Sequence, residues 1–501
     1  MSEALPGLPE APPVAAPKDA AVAVLFRRVG SGVELCWMRR EKKLFGGGFY
    51  AFPGGRVDLE DAHVPIEGAA GSDAALRVAA AREAFEEVGV LCARGPRPSG
   101  PDLAEFRQAL LDKKVGFAAG LAKRGLSLHA ADFRAAGRWI TPPFLPKRFD
   151  AHLFLVEAPV GASPALHAAE AADGGWVSPA AALERWAAGT ALLHPPNLHA
   201  FQVLAEFKDL DDARARLASP PHCPNFIASR LEFQRGIRLF PLETPTLPPA
   251  RHTNAYVLGN GELLIVDPGA SEVRQYARLL ALVEGLKAEG KRPRAVFLTH
   301  HHGDHIGGAK AVKERLGIPL WCHARTADRL SFPADQVFED GQVISLAGLP
   351  SMSFKVLHTP GHARGHLCLL DEASRACICG DMVSGLSTIV IDPPEGDMTD
   401  YLAQLVRLRD LPVGTLYPAH GSALPDGPGT LKEYLLHREF REQRVLAAVG
   451  KGRTLAEIVA QAYDDTPVFI HPVAERSAQA ILIKLVREGK VARNEDRYTA
   501  L

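Results

Sequence analysis

Residues 299–308, THHHGDHIGG, place four histidines and an aspartate inside positions 300–305. The apolar run AVFL at 295–298 precedes them and reads as a strand. Successive side chains of a strand point to opposite faces. His300 and His302 therefore leave on one side and His301 on the other. Asp304 and His305 follow Gly303 and open a helix expected to continue through GGAKAVKERLG. Two imidazoles then face one point, and a carboxylate with an imidazole faces a neighbouring point. His301 reads as a bystander, hydrogen-bonded rather than bound to a metal. Zinc takes its ligands in a tetrahedron, and a catalytic site leaves one place open. Four local ligands are too few for two metals, so others must come from elsewhere. His362 in HTPGHARGH, Asp381 in CGDMVSG and His420 in YPAHG are the candidates, each behind an apolar strand.

This H-x-H-x-D-H turn, with its later His, Asp and His, closely resembles the metallo-β-lactamase superfamily. Asp267 in LLIVDPGA matches that family's first motif, and all five motifs stand in order between about 240 and 425. Ordered motifs weigh against a set of merely structural histidines. The resemblance implies an αββα sandwich in which His300, His302 and His362 hold one Zn2+. Asp304, His305 and His420 would hold a second, with Asp381 bridging, Asp304 catalytic and Asp267 supporting the site from behind. Two such metals acidify a water that attacks a carbonyl or phosphoryl centre. His358, Arg364 and His366 stand near His362 in sequence. His366 either lines the pocket or supports a ligand from outside.

A distant stretch, REAFEEVGV at 82–90, carries a different chemistry. Glu83, Glu86 and Glu87 are spaced i, i+3 and i+4, so a helix gathers them on one face. Three like charges repel unless a cation sits among them. Hard oxygen ligands suit Mg2+ or Mn2+, which in turn hold a diphosphate. The bland alternative is a solvated acidic face. With FPGG upstream, the stretch resembles the Nudix box, G-x5-E-x7-R-E-U-x-E-E-x-G-U. Gly55, Arg82, Glu83, Glu86, Glu87 and Gly89 match it, but Gly55 and Arg82 lie 13 residues further apart than in the motif, and Asp61 takes the place of its first glutamate. A Nudix subgroup with such an insertion includes coenzyme A diphosphatases. The stretches RWITPPFLPKRFDAHLFL and GWVSPAAALERWAAGTALLHPP also look like it. The resemblance implies a Nudix α/β/α sandwich with Glu86 and Glu87 catalytic. Glu170, ahead of GGW, is a further candidate carboxylate.

The remaining sequence places these motifs in an α/β multidomain chain. With 501 residues, 47% hydrophobic and 23% charged, it can bury more than one core. A net charge of −1 gives no strong overall pull toward nucleic acid or anionic membrane. The seven cysteines are scattered and odd in number, which argues against a disulfide framework. Cys377 and Cys379 read as small apolar residues on one strand face. No apolar run is long enough to span a membrane, and the N-terminus lacks the basic and apolar regions of a signal peptide. The expectation is a soluble, cytoplasmic protein. Its layout reads as a flexible Pro/Ala leader at 1–17, a Nudix-like domain at 18–217, a linker at 218–239, a metallo-β-lactamase-fold domain at 240–430 and a winged-helix domain at 431–501. The last rests on the capping box Thr454/Glu457, a second helix VAERSAQAILIKLVREG and a hairpin turning at Asn494 and Glu495.

The stretch YLLHREFREQRVLAAV before the winged helix narrows the resemblance to the β-lactamase-like protein 2 group, some of whose members cut single-stranded RNA. From residue 431 onward the chain has 12 Lys/Arg against 10 Asp/Glu, so packing is as good a role for this module as RNA binding. Three readings compete. Both domains hydrolyse small molecules, one an ester, thioester or phosphodiester and the other a nucleoside diphosphate or coenzyme A derivative. Alternatively the chain is an RNA endonuclease. In the third, the Nudix-like domain only senses a nucleotide or coenzyme A.

Overall fold

The computed structural model describes residues 13–44 and 46–501. Of the leader, residues 1–12 lie outside the described residues, and 13–17 have no regular structure. The chain forms two compact units, 14–235 and 236–501.

The first unit is built on a mixed sheet. Lys18–Val29 and Gly32–Arg40 pair antiparallel, Phe149–Glu157 lies parallel to the first, and Ala171–Val177 pairs with the second. Alternation along Lys18–Val29 feeds two cores. Ala21, Ala23 and Leu25 pack with Val78, Ala81 and Phe85 of the helix Gly71–Val88. Val24 and Phe26 pack with Ala182, Phe201 and Ala213 from the helices Pro179–Ala187, Pro195–Ala205 and Leu210–Leu217. The result is an α/β/α sandwich. The run AALRVAAAREAFEEV favours helix by its alanines. Gly89 ends it in the left-handed region at φ 70°, its N–H returning to Phe85 O. The helical insert expected at 102–124 forms Gly100–Leu111 and Phe117–Lys123. Within 218–239 lie the turn Pro224–Phe226 and the strand Leu231–Gln234, followed by the start of Ile237–Glu243.

In the second unit, Ile237–Glu243, His252–Leu258, Glu262–Val266, Arg292–Phe297, Leu320–Cys322 and Gln336–Val337 form one sheet, and Val343–Leu346, Met352–His358, Leu367–Asp371, Ala376–Gly380 and Thr415–Pro418 the other. Ala255 and Val257 pack outward with Leu279 and Val283 of the helix Val273–Ala288. Tyr256, between them in the strand, points inward. Its ring meets Tyr417 of the other sheet edge-on at 6.1 Å, and its hydroxyl donates to Pro418 O at 2.6 Å. Cys368, Leu370, Cys377 and Cys379 face the helices Met398–Asp410 and Gly427–Val449. This is an αββα sandwich. The chain ends in the helices Leu455–Ala462 and His471–Arg487 and a three-stranded sheet whose hairpin turns at Glu495, φ 55°. The expected Thr454/Glu457 capping box is formed.

One expected element differs. The helix opened by Gly303 stops at Ile306 and a second helix, Ala309–Leu316, begins after two glycines. Gly308 N–H donates to Pro268 O at 2.8 Å. A Cβ on Gly307 would lie 2.4 Å from Gly269 O, and one on Gly308 2.6 Å from Pro268 O. Close approach of the Asp267 loop thus breaks the helix just behind the histidine turn. Among the described residues, no helix is long and apolar enough to cross a membrane.

Candidate metal centre

The two sheets of the second unit bring the histidine turn together with the later motifs. His300, His302 and His362 present ligand atoms within 4.8 Å of one another, and so do Asp304, His305 and His420. A third trio, His300, His305 and Asp381, joins them. Asp381 Oδ2 lies 3.4 Å from His362 Nε2 and 3.6 Å from His305 Nε2, and its Oδ1 lies 3.4 Å from His420 Nε2. It thus spans both groups. All of these residues are buried except the half-buried His302.

Outer hydrogen bonds fix which ring nitrogen faces inward. Asp267 accepts Thr299 N–H at 2.8 Å and the Thr299 hydroxyl at 2.6 Å. With that proton committed, Thr299 Oγ1 accepts from His300 Nδ1 at 3.0 Å. His305 Nδ1 donates to Asp267 at 2.8 Å, His362 Nδ1 to Val390 O at 2.9 Å, and His420 Nδ1 to His252 O at 3.0 Å. Four Nε2 atoms are left facing the centre. His302 turns the other way, with Nδ1 at 3.0 Å from both His300 Nε2 and His362 Nε2. A single proton on Nδ1 serves only one of those contacts. His305 Nε2 and Asp381 Oδ1 are buried and have no hydrogen-bond partner among the described residues. Buried polar atoms are ordinarily satisfied, and a nitrogen–oxygen donor set with outer hydrogen bonds of this kind fits divalent metals.

The charges agree. Burial and the neighbouring imidazoles hold His300 and His302 well below the usual range, and burial pushes His362 down to about 4. Burial also opposes charge on His305 and His420, but Asp304 and Asp381 outweigh it and hold both above the usual range. One trio offers free lone pairs. In the other, the carboxylates favour charged imidazoles, so a metal there would compete with protons.

Among the described residues His301 joins no ligand trio and its buried Nδ1 has no partner, so the hydrogen bond expected of it is absent there at that atom. Burial lowers its pKa, with Glu395 opposing. His366 lies wholly inside, accepting Asp381 N–H at 3.1 Å and meeting the Thr359 hydroxyl at 2.8 Å, so it backs the candidate ligand Asp381 rather than lining a pocket. His358 stacks on His323 at 4.2 Å, and Arg364 reaches Pro394 O. Thr253, whose hydroxyl donates to Asp304 Oδ2 at 3.1 Å, and the carbonyls of His252 and Val390 went unread in the sequence.

The acidic helix of the first unit arranges its carboxylates differently. Asp61 grips Arg82 with both oxygens at 2.8 Å, and Arg82 also reaches Glu83 at 2.7 Å and Glu86 at 3.0 Å. Gly55 lies against Glu83, where a Cβ would come within 2.5 Å of the carboxylate. Glu87 accepts Gly54 N–H at 2.7 Å and faces Arg40 at 3.4 Å. Burial and a hydrogen bond to Glu170 push Glu87 well above the carboxylate range, and burial lifts Glu83 to about 7. Among the described residues, Glu83, Glu86 and Glu87 do not form a trio as tight as those of the histidine cluster.

Comparison with known proteins matches residues 248–420 to the metallo-beta-lactamase superfamily and 454–499 to the beta-lactamase associated winged helix domain. The lactamase-like protein adaB of Aspergillus niger is 31% identical over 255 residues, 48% of this chain and 76% of that protein. A beta-lactamase-like protein 2 homolog of Caenorhabditis elegans is 28% identical over 246 residues, 48% of this chain and 80% of that one. The atrochrysone carboxyl ACP thioesterase of Claviceps purpurea is 29% identical over 224 residues, 43% and 67% of the two chains. Among solved structures, a NUDIX hydrolase from Alicyclobacillus acidocaldarius is similar at 31% identity and TM-score 0.37, over 41% of this chain and 99% of that one. With its winged helix and its buried His/Asp cluster, the chain belongs to the metallo-beta-lactamase superfamily and is a metal-dependent hydrolase.

Proposed function

We propose that residues 240–430 form a dinuclear zinc hydrolase acting on an ester or thioester, and that residues 18–217 form a Nudix-type hydrolase of a nucleoside diphosphate or coenzyme A derivative. The observation that carries the first reading is the pair of His/Asp trios spanned by Asp381, with His305 Nε2 and Asp381 Oδ1 left without partners among the described residues. His300, His302 and His362 would hold one zinc, and Asp304, His305 and His420 the other, with Asp381 between them. Bound there, the pair supplies Lewis acidity and makes water a stronger acid. Thr253 orients Asp304, which we assign to take a proton from the attacking water. In thioester hydrolysis a C–O bond forms from water, the C–S bond breaks, and that proton ends on the departing thiolate. A thioesterase among the relatives supports this substrate class. The test is acyl-thioester hydrolysis by protein carrying about two zinc ions per chain. Turnover should vanish in Asp304→Ala; turnover that survives there removes the assignment.

For the acidic helix, we propose Mg2+ or Mn2+ held by Glu83, Glu86 and Glu87 with Glu170, and Glu86 and Glu87 catalytic. Geometry supports it: Glu83 lies under Gly55 and Glu87 accepts Gly54 N–H at 2.7 Å, so both carboxylates meet the FPGG loop. One observation favours a sensing module instead. Arg82 already neutralises Glu83 and Glu86.

A further inference from the structure

Residues 384–397 run from the Asp381 turn to the helix Met398–Asp410. Val390, in this loop, supplies the carbonyl that accepts His362 Nδ1 at 2.9 Å. The orientation of one zinc-ligand candidate therefore depends on where this backbone sits. The loop has no regular structure of its own over 384–394, so its position must come from neighbours.

Its ends are held by the His420 and Gly361 carbonyls and by Arg364, and its middle by two C-terminal helices, Gly427–Val449 and His471–Arg487. The Tyr434 hydroxyl accepts Ser384 N–H at 2.7 Å and lies 2.7 Å from Ser387 O as its donor. Arg438 donates to Ile389 O. The Ser477 hydroxyl accepts Ile391 N–H at 3.2 Å. Arg476 pairs with Asp392 at 2.8 Å and Arg487 with Asp397 at 2.5 Å. Val390 thus sits between two residues whose backbones are each pinned, and the pinning side chains Arg438 and Ser477 are buried. Ile389 and Ile391 are buried in one apolar cluster with Ile458, Ile481 and Leu485 of the winged helix. Buried polar groups in a fixed network hold their partners far more rigidly than exposed pairs do.

The same contacts bear on the winged helix itself. A winged helix that reads nucleic acid lays one helix against the duplex or its backbone and spends that helix's polar side chains there. Here the buried Ser477 and the half-buried Arg476 of His471–Arg487 are spent on the loop beside the candidate metal centre, and the exposed Arg487 pairs with Asp397 at its end. We infer that the C-terminal module is a positioning element of the hydrolase, which fixes the Val390 carbonyl and through it the His362 ring. Arg438 and Ser477 are its positioning residues. The inference rests on His362 being a metal ligand.

The test uses the full chain loaded with Co2+, whose visible absorption reports ligand geometry. Ser477→Ala and Arg438→Gln should leave the protein folded by circular dichroism, shift the cobalt bands, and weaken metal retention against a chelator about 10- to 100-fold. Arg438→Lys should recover part of the loss. If Arg438→Gln fails to fold, Tyr434→Phe, which removes one hydroxyl, should give the same band shift at smaller size. Arg493→Gln, in the wing, should change nothing. Folded variants with the wild-type cobalt spectrum and metal retention would overturn the inference and leave the metal assignment standing. A wild-type spectrum unchanged by His362→Ala would overturn both. Binding of single-stranded RNA that Arg476→Gln or Arg487→Gln abolishes, with cobalt bands unmoved, would also overturn it.

Discussion

His302 differs from the other four imidazoles in turning Nδ1 to the centre, where it meets two other ring nitrogens at 3.0 Å. Among the described residues His301, its chain neighbour, gives no ligand atom to a trio, although its ring lies 4.9 Å from that of His302. Replacing each by alanine removes the same imidazole from adjacent positions of one turn, so only the ligand role separates them. His302→Ala should lose one metal per chain and the hydrolase activity, and His301→Ala should keep most of both, by elemental analysis of purified protein. Equal losses would refute the assignment. Asp267 is the second residue on which the turn depends. It sits in the left-handed region at φ 47°, where aspartate is among the few tolerated side chains. It ties Thr299 and His305 together. Asp267→Ala should weaken metal binding about 10- to 100-fold, measured by chelator competition. These residues were legible because strand alternation and the spacing of His and Asp leave a mark in the sequence. The carbonyls of His252 and Val390 were not, because every residue has a carbonyl. Thr253 was not, because a threonine in a strand needs no special reason.

The helix Gly71–Val88 shows the same division at the next scale. Its start region, its face and its stop at Gly89 could all be read from alanine content, i, i+3, i+4 spacing and one glycine. What the long insertion does could not. Asp61, at the motif's displaced glutamate position, folds back to hold Arg82 across a separation of 21 residues. That pairing leaves Glu83 wedged under Gly55, and burial lifts its carboxyl to about 7. In the unfolded chain it titrates near 4.5. A carboxyl whose folded pKa is raised favours folding while protonated, and that stability is lost as pH rises from about 4.5 through 7. The cost approaches about 3 kcal/mol above pH 7. A cation bound at the carboxylates would remove it. Metal-free protein should therefore show a melting transition of the first unit that falls between pH 5 and pH 8. Added Mg2+ should raise it at pH 8 and leave it little changed at pH 5. Calorimetry with an equal Mg2+ effect at both pH values, or no effect of Glu83→Gln on the slope, would count against a cation site on this helix.

At the scale of the whole molecule, the ligand sets proposed for the two units differ in kind, one all carboxylate and the other, the His/Asp cluster, mostly imidazole. Such sets select different metals. Any diphosphatase activity should need Mg2+ or Mn2+, disappear in Glu86→Gln and survive Asp381→Asn. Loss in Asp381→Asn would place that activity in the second unit. The substrate of the second unit is decided neither by its ligands nor by its fold, since an acidified water attacks carbonyl and phosphoryl centres alike. Electrostatics separates the options. A nuclease that tracks a backbone uses a basic groove and weakens steeply with salt. This chain has a net charge of −1, and the C-terminal module turns Arg476 and Arg487 toward acidic residues of its own chain. A small thioester needs no such groove. Zinc-loaded protein, incubated in parallel with an acyl thioester and with single-stranded RNA, should turn over the thioester with little dependence on salt and lose that activity in Asp304→Ala. RNA cleavage that needs Asp304, fades as salt rises and comes without thioester turnover would reverse the choice of substrate while keeping the metal centre.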